Sequence, residues 1–301
     1  MTRSAWLDID WPAHTHRRTI DGSEMTYVDI GSGPALVFVH GLGGSWQNWL
    51  ENLPHFAATH RCIAMDLGGF GESAPVDGDV SIERFARSVR ELLAALDIES
   101  AAVIGNSMGG FIALELAIKF PALVERLVLV SAAVLWQEYR RAKPLVAFAS
   151  ATEGTLGRAM IGLQPRLAAR PKLRQRALGF GGIRAPHKLP RELQRELVLT
   201  ARRTEGFLPA FQALASYSLR DELEKVTAPT LIVWGDADPL VGVSHARELE
   251  QLIPGARAVI YERTGHVVQL ERPERFNADV EAFLAGDRAL GGARDQARVL
   301  P

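Results

Sequence analysis

Three residues far apart in the chain, Ser107, Asp238 and His266, have the types and the chain order that hydroxyl-based nucleophilic catalysis needs. Ser107 lies in Gly105-Asn106-Ser107-Met108-Gly109-Gly110, a Gly-x-Ser-x-Gly pattern preceded by the apolar run Ala102-Val103-Ile104 and followed by Phe111-Ile112-Ala113-Leu114. A strand, a tight turn and a helix in that order lift a serine hydroxyl clear of a sheet, and the flanking glycines avoid a clash with the neighbouring element. A serine held this way attacks a carbonyl carbon once a neighbouring base takes its proton.

The base and its partner come from the ends of two later apolar runs. His266 closes the loop Glu262-Arg263-Thr264-Gly265-His266 after Arg257–Tyr261. Leu231-Ile232-Val233-Trp234 runs into Asp236 and Asp238, two carboxylates at the carboxyl edge of a strand, where ligands bind in parallel sheets. Pro239 fixes the turn after Asp238 and favours it over Asp236. Charge developing on a substrate oxygen also needs donors. A helix starting at Ser107 offers the Met108 N–H, and the His40-Gly41-Leu42-Gly43-Gly44 loop after Leu36–Val39 offers the Leu42 N–H. His40 itself is expected to bond the loop backbone rather than take part in chemistry. A set of this kind calls for no metal and no cofactor.

Positioning these residues requires a parallel sheet. From Met25 to Glu262 short apolar, β-branched runs alternate with helical patterns, as in a sheet covered on both faces. The runs are Ala35 to His40, Arg61 to Asp66, Ala101 to Gly105, Leu127 to Val130, Thr230 to Trp234 and Arg257 to Tyr261. Helices are expected over Ile82 to Leu96 with Ser81 as N-cap, Met108 to Phe120, Ser244 to Ile253, and Pro273 to Leu284. Strand runs vanish from about Val134 to Val226, where prolines punctuate amphipathic stretches; residues 134–226 read as a helical cap inserted into a core made of 1–133 and 227–285. The Gly-, Ala- and Arg-rich stretch 286–301 has no apolar periodicity and is expected to be disordered.

Bulk composition excludes several classes. The 301 residues are 47% hydrophobic and 23% charged, as in ordinary globular proteins. A net charge of -1 gives no global field for nucleic acid, acidic lipid or a polyanionic substrate. The basic stretch Arg166 to Arg176 alternates with Leu167 and Leu173 and reads as a solvated helix face. Cys62, the one cysteine, sits in an apolar run and reads as a buried small hydrophobe. No unbroken apolar run reaches the roughly 18 residues of a spanning helix, and charges break the N-terminus before a signal peptide could develop, so a cytoplasmic home is the default. The sequence is compatible with a homodimer.

The quoted motifs resemble the α/β-hydrolase family. The resemblance runs from Met25 to Leu284 and includes His40-Gly41, the Ser107 turn, Gly235-Asp236-Ala237-Asp238, Gly265-His266 and the loop Asp66-Leu67-Gly68-Gly69-Phe70-Gly71-Glu72-Ser73. It implies an α/β-hydrolase fold, a mostly parallel central sheet flanked by helices with an inserted helical cap over the site, and it places the acid at Asp238. Within the family, Gly-Asn-Ser-Met-Gly-Gly is similar to hydrolases that cleave carbon–carbon bonds of ring-fission products. Those enzymes usually carry Gly-Pro-Gly after His-Gly and a tryptophan after the histidine, whereas here Leu42-Gly43-Gly44-Ser45 and Val267-Val268 occupy those places. The ending Gly265-His266-Val267-Val268-Gln269-Leu270-Glu271-Arg272-Pro273 looks more like esterases and monoacylglycerol-type lipases.

The resemblance and the residues together imply a serine hydrolase acting on a small-molecule ester with a small to medium apolar acyl group. Apolar stripes of the cap, Leu145, Val146 and Phe148 and then Phe207, Leu208, Phe211 and Leu214, are expected to pack mainly onto the core, with a minority lining an acyl pocket. A neutral histidine base implies a rate that falls as pH drops through the ordinary imidazole range. The alternatives are a carbon–carbon bond hydrolase and a low-turnover ligand-binding protein on the same scaffold.

Overall fold

The computed structural model describes residues 3–134, 166, 168–200 and 206–286. After two short helical turns, Ala5–Asp8 and Trp11–His14, its sheet opens with a hairpin that the apolar runs do not announce. Strands β1 (Thr15–Ile20) and β2 (Ser23–Ile30) pair antiparallel around Asp21-Gly22, both with positive φ, of 50° and 76°. Two such residues in succession give the turn whose twist matches a two-stranded ribbon. β1 lies at the sheet edge and buries only Ile20, so His16, Arg17, Arg18 and Thr19 show no apolar alternation.

β2 then pairs antiparallel with β4 (Arg61–Met65), and every later pairing is parallel. β3 (Ala35–Val39), β5 (Ala101–Asn106), β6 (Val124–Val130), β7 (Thr230–Gly235) and β8 (Arg257–Tyr261) complete one eight-stranded sheet in the order β1-β2-β4-β3-β5-β6-β7-β8. β5 is central and buried along its whole length, which explains its purely apolar lead-in to Asn106.

Helices cover both faces. On one, α1 (Ile82–Ala95), α2 (Met108–Lys119) and the helix Ser244–Leu252 contribute Phe85, Val89, Phe111, Leu116 and Leu249 to a core with Val37, Ile63 and Val103. On the other, the C-terminal helix Pro273–Leu284 sets Phe276, Val280 and Phe283 against Phe38, Ile104 and Leu231. Ser81 caps α1 as its side chain accepts the Arg84 N–H at 3.1 Å. Cys62 is fully buried in this second core, and burial pushes its thiol pKa up.

Between β6 and β7 the described elements are helices, among them α3 (Pro171–Phe180), α4 (Arg191–Thr200) and α5 (Phe207–Ser216). Leu208, Phe211 and Leu214 are buried, whereas Phe207 is 39% exposed. Leu145, Val146, Phe148 and the C-terminal stretch 287–301 lie outside the described residues.

Candidate functional site

β5 delivers Asn106 to the carboxyl edge of the sheet and Ser107 takes the turn into α2. Its backbone has φ 56° and ψ -118°, a region that a side-chain-bearing residue occupies only at a cost of order 1–3 kcal/mol. Four main-chain bonds hold it there. Ser107 N–H donates to Val130 O at 2.9 Å, and Ser107 O accepts from Gly110, Phe111 and Ala133 at 3.0, 3.2 and 3.1 Å. The flanking glycines are needed for space: a Cβ on Gly110 would stand 2.6 Å from the Ala132 Cβ, and one on Gly109 would collide with the Val39 carbonyl.

Asp238 and His266 meet. The loop after β7 turns so that Asp238 Oδ2 lies 2.7 Å from His266 Nδ1, with the carboxylate side chain fully buried and the imidazole 6% exposed. Asp238 Oδ1 accepts the N–H groups of Leu240 and Val241 at 2.8 and 2.9 Å, which fixes the carboxylate plane. Asp236, by contrast, is exposed and accepts the Thr264 N–H at 3.3 Å, so it supports the loop that carries His266 without touching the ring.

Ser107 is tied to His266 through its neighbour. Asn106 Nδ2 donates to Val130 O at 3.1 Å and to His266 O at 3.4 Å, joining the ends of β5 and β6 to the histidine loop. Among the described residues no hydrogen bond joins Ser107 Oγ to the imidazole, and such bonds commonly tighten only in the substrate complex. The His-Gly loop lies against the serine: a Cβ on Gly41 would stand 3.0 Å from the Ser107 Cβ, and Gly44 N–H closes the turn onto Gly41 O at 3.0 Å. Leu42 sits in that turn. Met108 opens α2, in the first turn, whose N–H groups have no partner within the helix.

His40 points away from this chemistry. Its Nδ1–H donates to Gly41 O at 2.7 Å while Nε2 accepts the Leu67 N–H at 2.9 Å. Complete burial lowers its pKa to about 4, so the ring is neutral and pins β3 to the loop after β4. In that loop Asp66 accepts the N–H groups of Trp46 and Glu72, both at 2.8 Å, and burial pushes its pKa up to about 7.

Two participants have no sequence signal of their own. The His266 N–H donates 2.9 Å to the carbonyl of Gly182, just beyond α3, and Gly182 has φ +92°. Glu271 follows, with Oε1 accepting the Gly265 N–H at 3.0 Å and Oε2 the Arg184 N–H at 3.1 Å. Its carboxylate therefore binds the histidine loop to the segment after α3, beside a cavity of about 510 Å³ that Arg184, Lys188 and Arg263 help to line. Burial raises its pKa to about 6. A backbone carbonyl acceptor and a long-range carboxylate bridge leave no motif, so only the glycine pair Gly181-Gly182 and the Glu in the Glu271-Arg272-Pro273 ending could have hinted at them.

No group of three or more His, Cys, Asp or Glu side chains with metal-site geometry occurs among the described residues, and none of their helices is long and apolar enough to cross a membrane.

Comparisons with known proteins bear on the family and the fold. The family model described as alpha/beta hydrolase fold matches residues 34–273. The chain is 32% identical to the dihydrolipoyllysine-residue acetyltransferase component of the acetoin cleaving system of Pseudomonas putida, covering 88% of this chain and 68% of that one. It is 31% identical to the 2-hydroxy-6-oxo-6-phenylhexa-2,4-dienoate hydrolase of Comamonas testosteroni over 86% of this chain and 90% of the relative. Among solved structures, a bacterial membrane phospholipase A superposes with a TM-score of 0.72 at 30% identity, covering 91% of this chain and 86% of the other. With the eight-stranded sheet, the strained serine turn and a family match over most of its length, the chain belongs to the α/β-hydrolase fold family.

Proposed function

We propose that the chain is a serine hydrolase that cleaves carboxylic esters with small to medium apolar acyl groups, using Ser107, His266 and Asp238, with residues 134–226 capping the site. The observation that carries this reading is the buried 2.7 Å contact of Asp238 with His266 Nδ1, beside a serine in strained backbone at a helix start. With Nδ1–H given to the carboxylate, Nε2 carries the free lone pair and faces the base's task.

In the first half-reaction His266 Nε2 takes the Ser107 proton as Oγ bonds to the ester carbonyl carbon. The carbonyl oxygen becomes an oxyanion held by the N–H groups of Leu42 and Met108, each typically worth about 3 kcal/mol. The alcohol leaves with the proton from His266. In the second, a water gives its proton to His266 as its oxygen bonds to the acyl carbon, and collapse of the intermediate breaks the bond to Ser107 Oγ, which takes that proton back from His266 as the acid leaves. Asp238 stabilises the imidazolium formed in each step.

Two exposed apolar side chains beside the site support an apolar substrate. Leu240 lies against Gly182 on the His266 side, and the Phe207 ring lies against Gly43 of the Leu42 loop. An ester-cleaving relative in structure, the phospholipase, agrees with the ester reading, and the likeness to the Comamonas hydrolase gives the second one, a carbon–carbon bond hydrolase. A panel of p-nitrophenyl esters of increasing acyl length, run beside a vinylogous diketone, separates them. Ester turnover with fluorophosphonate labelling that Ser107→Ala abolishes is the expected result; labelling without turnover of either class would leave a ligand-binding protein.

A further inference from the structure

The nearly balanced charge of the whole chain conceals a strong separation. Residues 166–200 carry nine Arg and Lys against two Glu, leaving 25 cations against 33 anions elsewhere. Eight of the nine cations are exposed. The ninth, Arg174, is buried, with Nε on Gln194 Oε1 at 3.1 Å and Nη1 on Ala168 O at 2.6 Å. A positive surface therefore sits on an otherwise acidic protein, which the net charge of -1 does not reveal.

Along α3 the outward positions Lys172, Arg176 and Phe180 recur every fourth residue, so they share one side of the helix, while Arg174 and Leu178 face inward. Phe180 is 89% exposed, at the end of that row. Two residues later Gly182 contacts His266. The exposed large hydrophobics among the described residues are Phe180, Phe207 and Leu240. Leu240 abuts Gly182 and Phe207 abuts Gly43, so these two stand beside the candidate site, and Phe180 lies two residues before Gly182 in the chain.

Exposed cations beside an exposed aromatic match the two layers of an anionic bilayer surface: phosphate headgroups attract the charges, and the boundary beneath them takes the ring. A nucleic acid offers the same phosphates but no apolar layer for Phe207 and Leu240. We propose that the 166–200 surface docks on an anionic phospholipid bilayer, the protein lying on the membrane with the mouth of the Ser107–His266 site toward the lipid.

The test is co-sedimentation of the full chain with phosphatidylcholine vesicles, alone or mixed with phosphatidylglycerol, and it reads binding without any turnover. Capture by the mixed vesicles at low salt is expected, with at least about tenfold less on phosphatidylcholine alone and release at about 0.5 M salt. The double variant Lys172→Glu/Arg176→Glu should lose about tenfold or more of that capture, and Phe180→Ser several-fold, each with an unchanged thermal midpoint. No capture by the mixed vesicles, equal capture by both kinds, full capture of the charge-reversed variant, or stronger binding to a DNA duplex than to vesicles would each overturn the proposal.

Discussion

The main-chain N–H of His266 donates to the carbonyl of Gly182 across 2.9 Å, so the proposed general base is held from both sides: Asp238 grips its ring and the segment after α3 grips its backbone. Gly182 reaches that position only with φ +92°, and a Cβ there would stand 2.6 Å from the His266 Cβ. Replacing Gly182 should therefore strain the backbone and push on His266 together. Gly182→Ala is expected to lower the thermal midpoint and, in the folded protein, to lower kcat for a p-nitrophenyl ester by about tenfold or more, roughly 1.4 kcal/mol of barrier. Unchanged kcat in a folded variant would show that His266 is positioned without the segment after α3.

The two carboxylates after β7 should differ sharply. Asp238 is buried on the imidazole, whereas Asp236 is exposed and meets only the Thr264 N–H. Asp238→Asn removes the charge that stabilises the imidazolium and should cost about 10³-fold or more in kcat. Asp236→Asn keeps an oxygen for the weak 3.3 Å bond and should change kcat by less than about threefold. Steady-state rates of the two variants under one set of conditions decide the assignment.

Glu271 offers a test of the link between the histidine loop and the segment after α3. Glu271→Ala leaves the Gly265 and Arg184 N–H groups without their acceptor, and the neighbouring 510 Å³ cavity admits water to satisfy them. The expected loss is about 1 kcal/mol per N–H in denaturant unfolding, with a fall in kcat from the loosened loop. Full stability and full kcat together would assign the bridge no role.

A pH dependence follows from His40. Its pKa is lowered by burial to about 4, so the neutral ring contributes stability that is present above the ordinary value of 6.5 and lost as pH falls through about 4. Asp66, raised to about 7, acts with the opposite sign, so the comparison must be with a variant rather than across pH alone. His40→Asn should cost more stability at pH 7 than at pH 4.5, by about 2 kcal/mol from the size of the shift. Denaturant midpoints of both proteins at both pH values measure it; an equal penalty would mean that the ring is not buried and neutral.

How much of this was legible beforehand differs by element. β3 to β8 and the four core helices follow from short apolar runs between helical periodicities, because strands buried on both faces must be apolar throughout. The β1–β2 hairpin gives no such signal because an edge strand exposed from His16 to Thr19 carries no alternation. The Asp21-Gly22 pair was the available signal, through its demand for two successive positive φ angles.

For the site, chain order and turn chemistry singled out Ser107, Asp238 and His266, since a strained serine turn, a carboxylate at a strand end and a histidine after the last strand are each local patterns. What holds them was not local. Asn106 reaches the His266 carbonyl, Gly182 accepts its N–H and Glu271 holds the Arg184 N–H, contacts between segments 84 to 160 residues apart in chain number that exist only once the sheet brings their ends to one edge. The sequence by itself determined which groups could react. The tertiary structure decided which carboxylate meets the imidazole and which backbone atoms hold it, because distances between groups remote in the chain are set by packing alone.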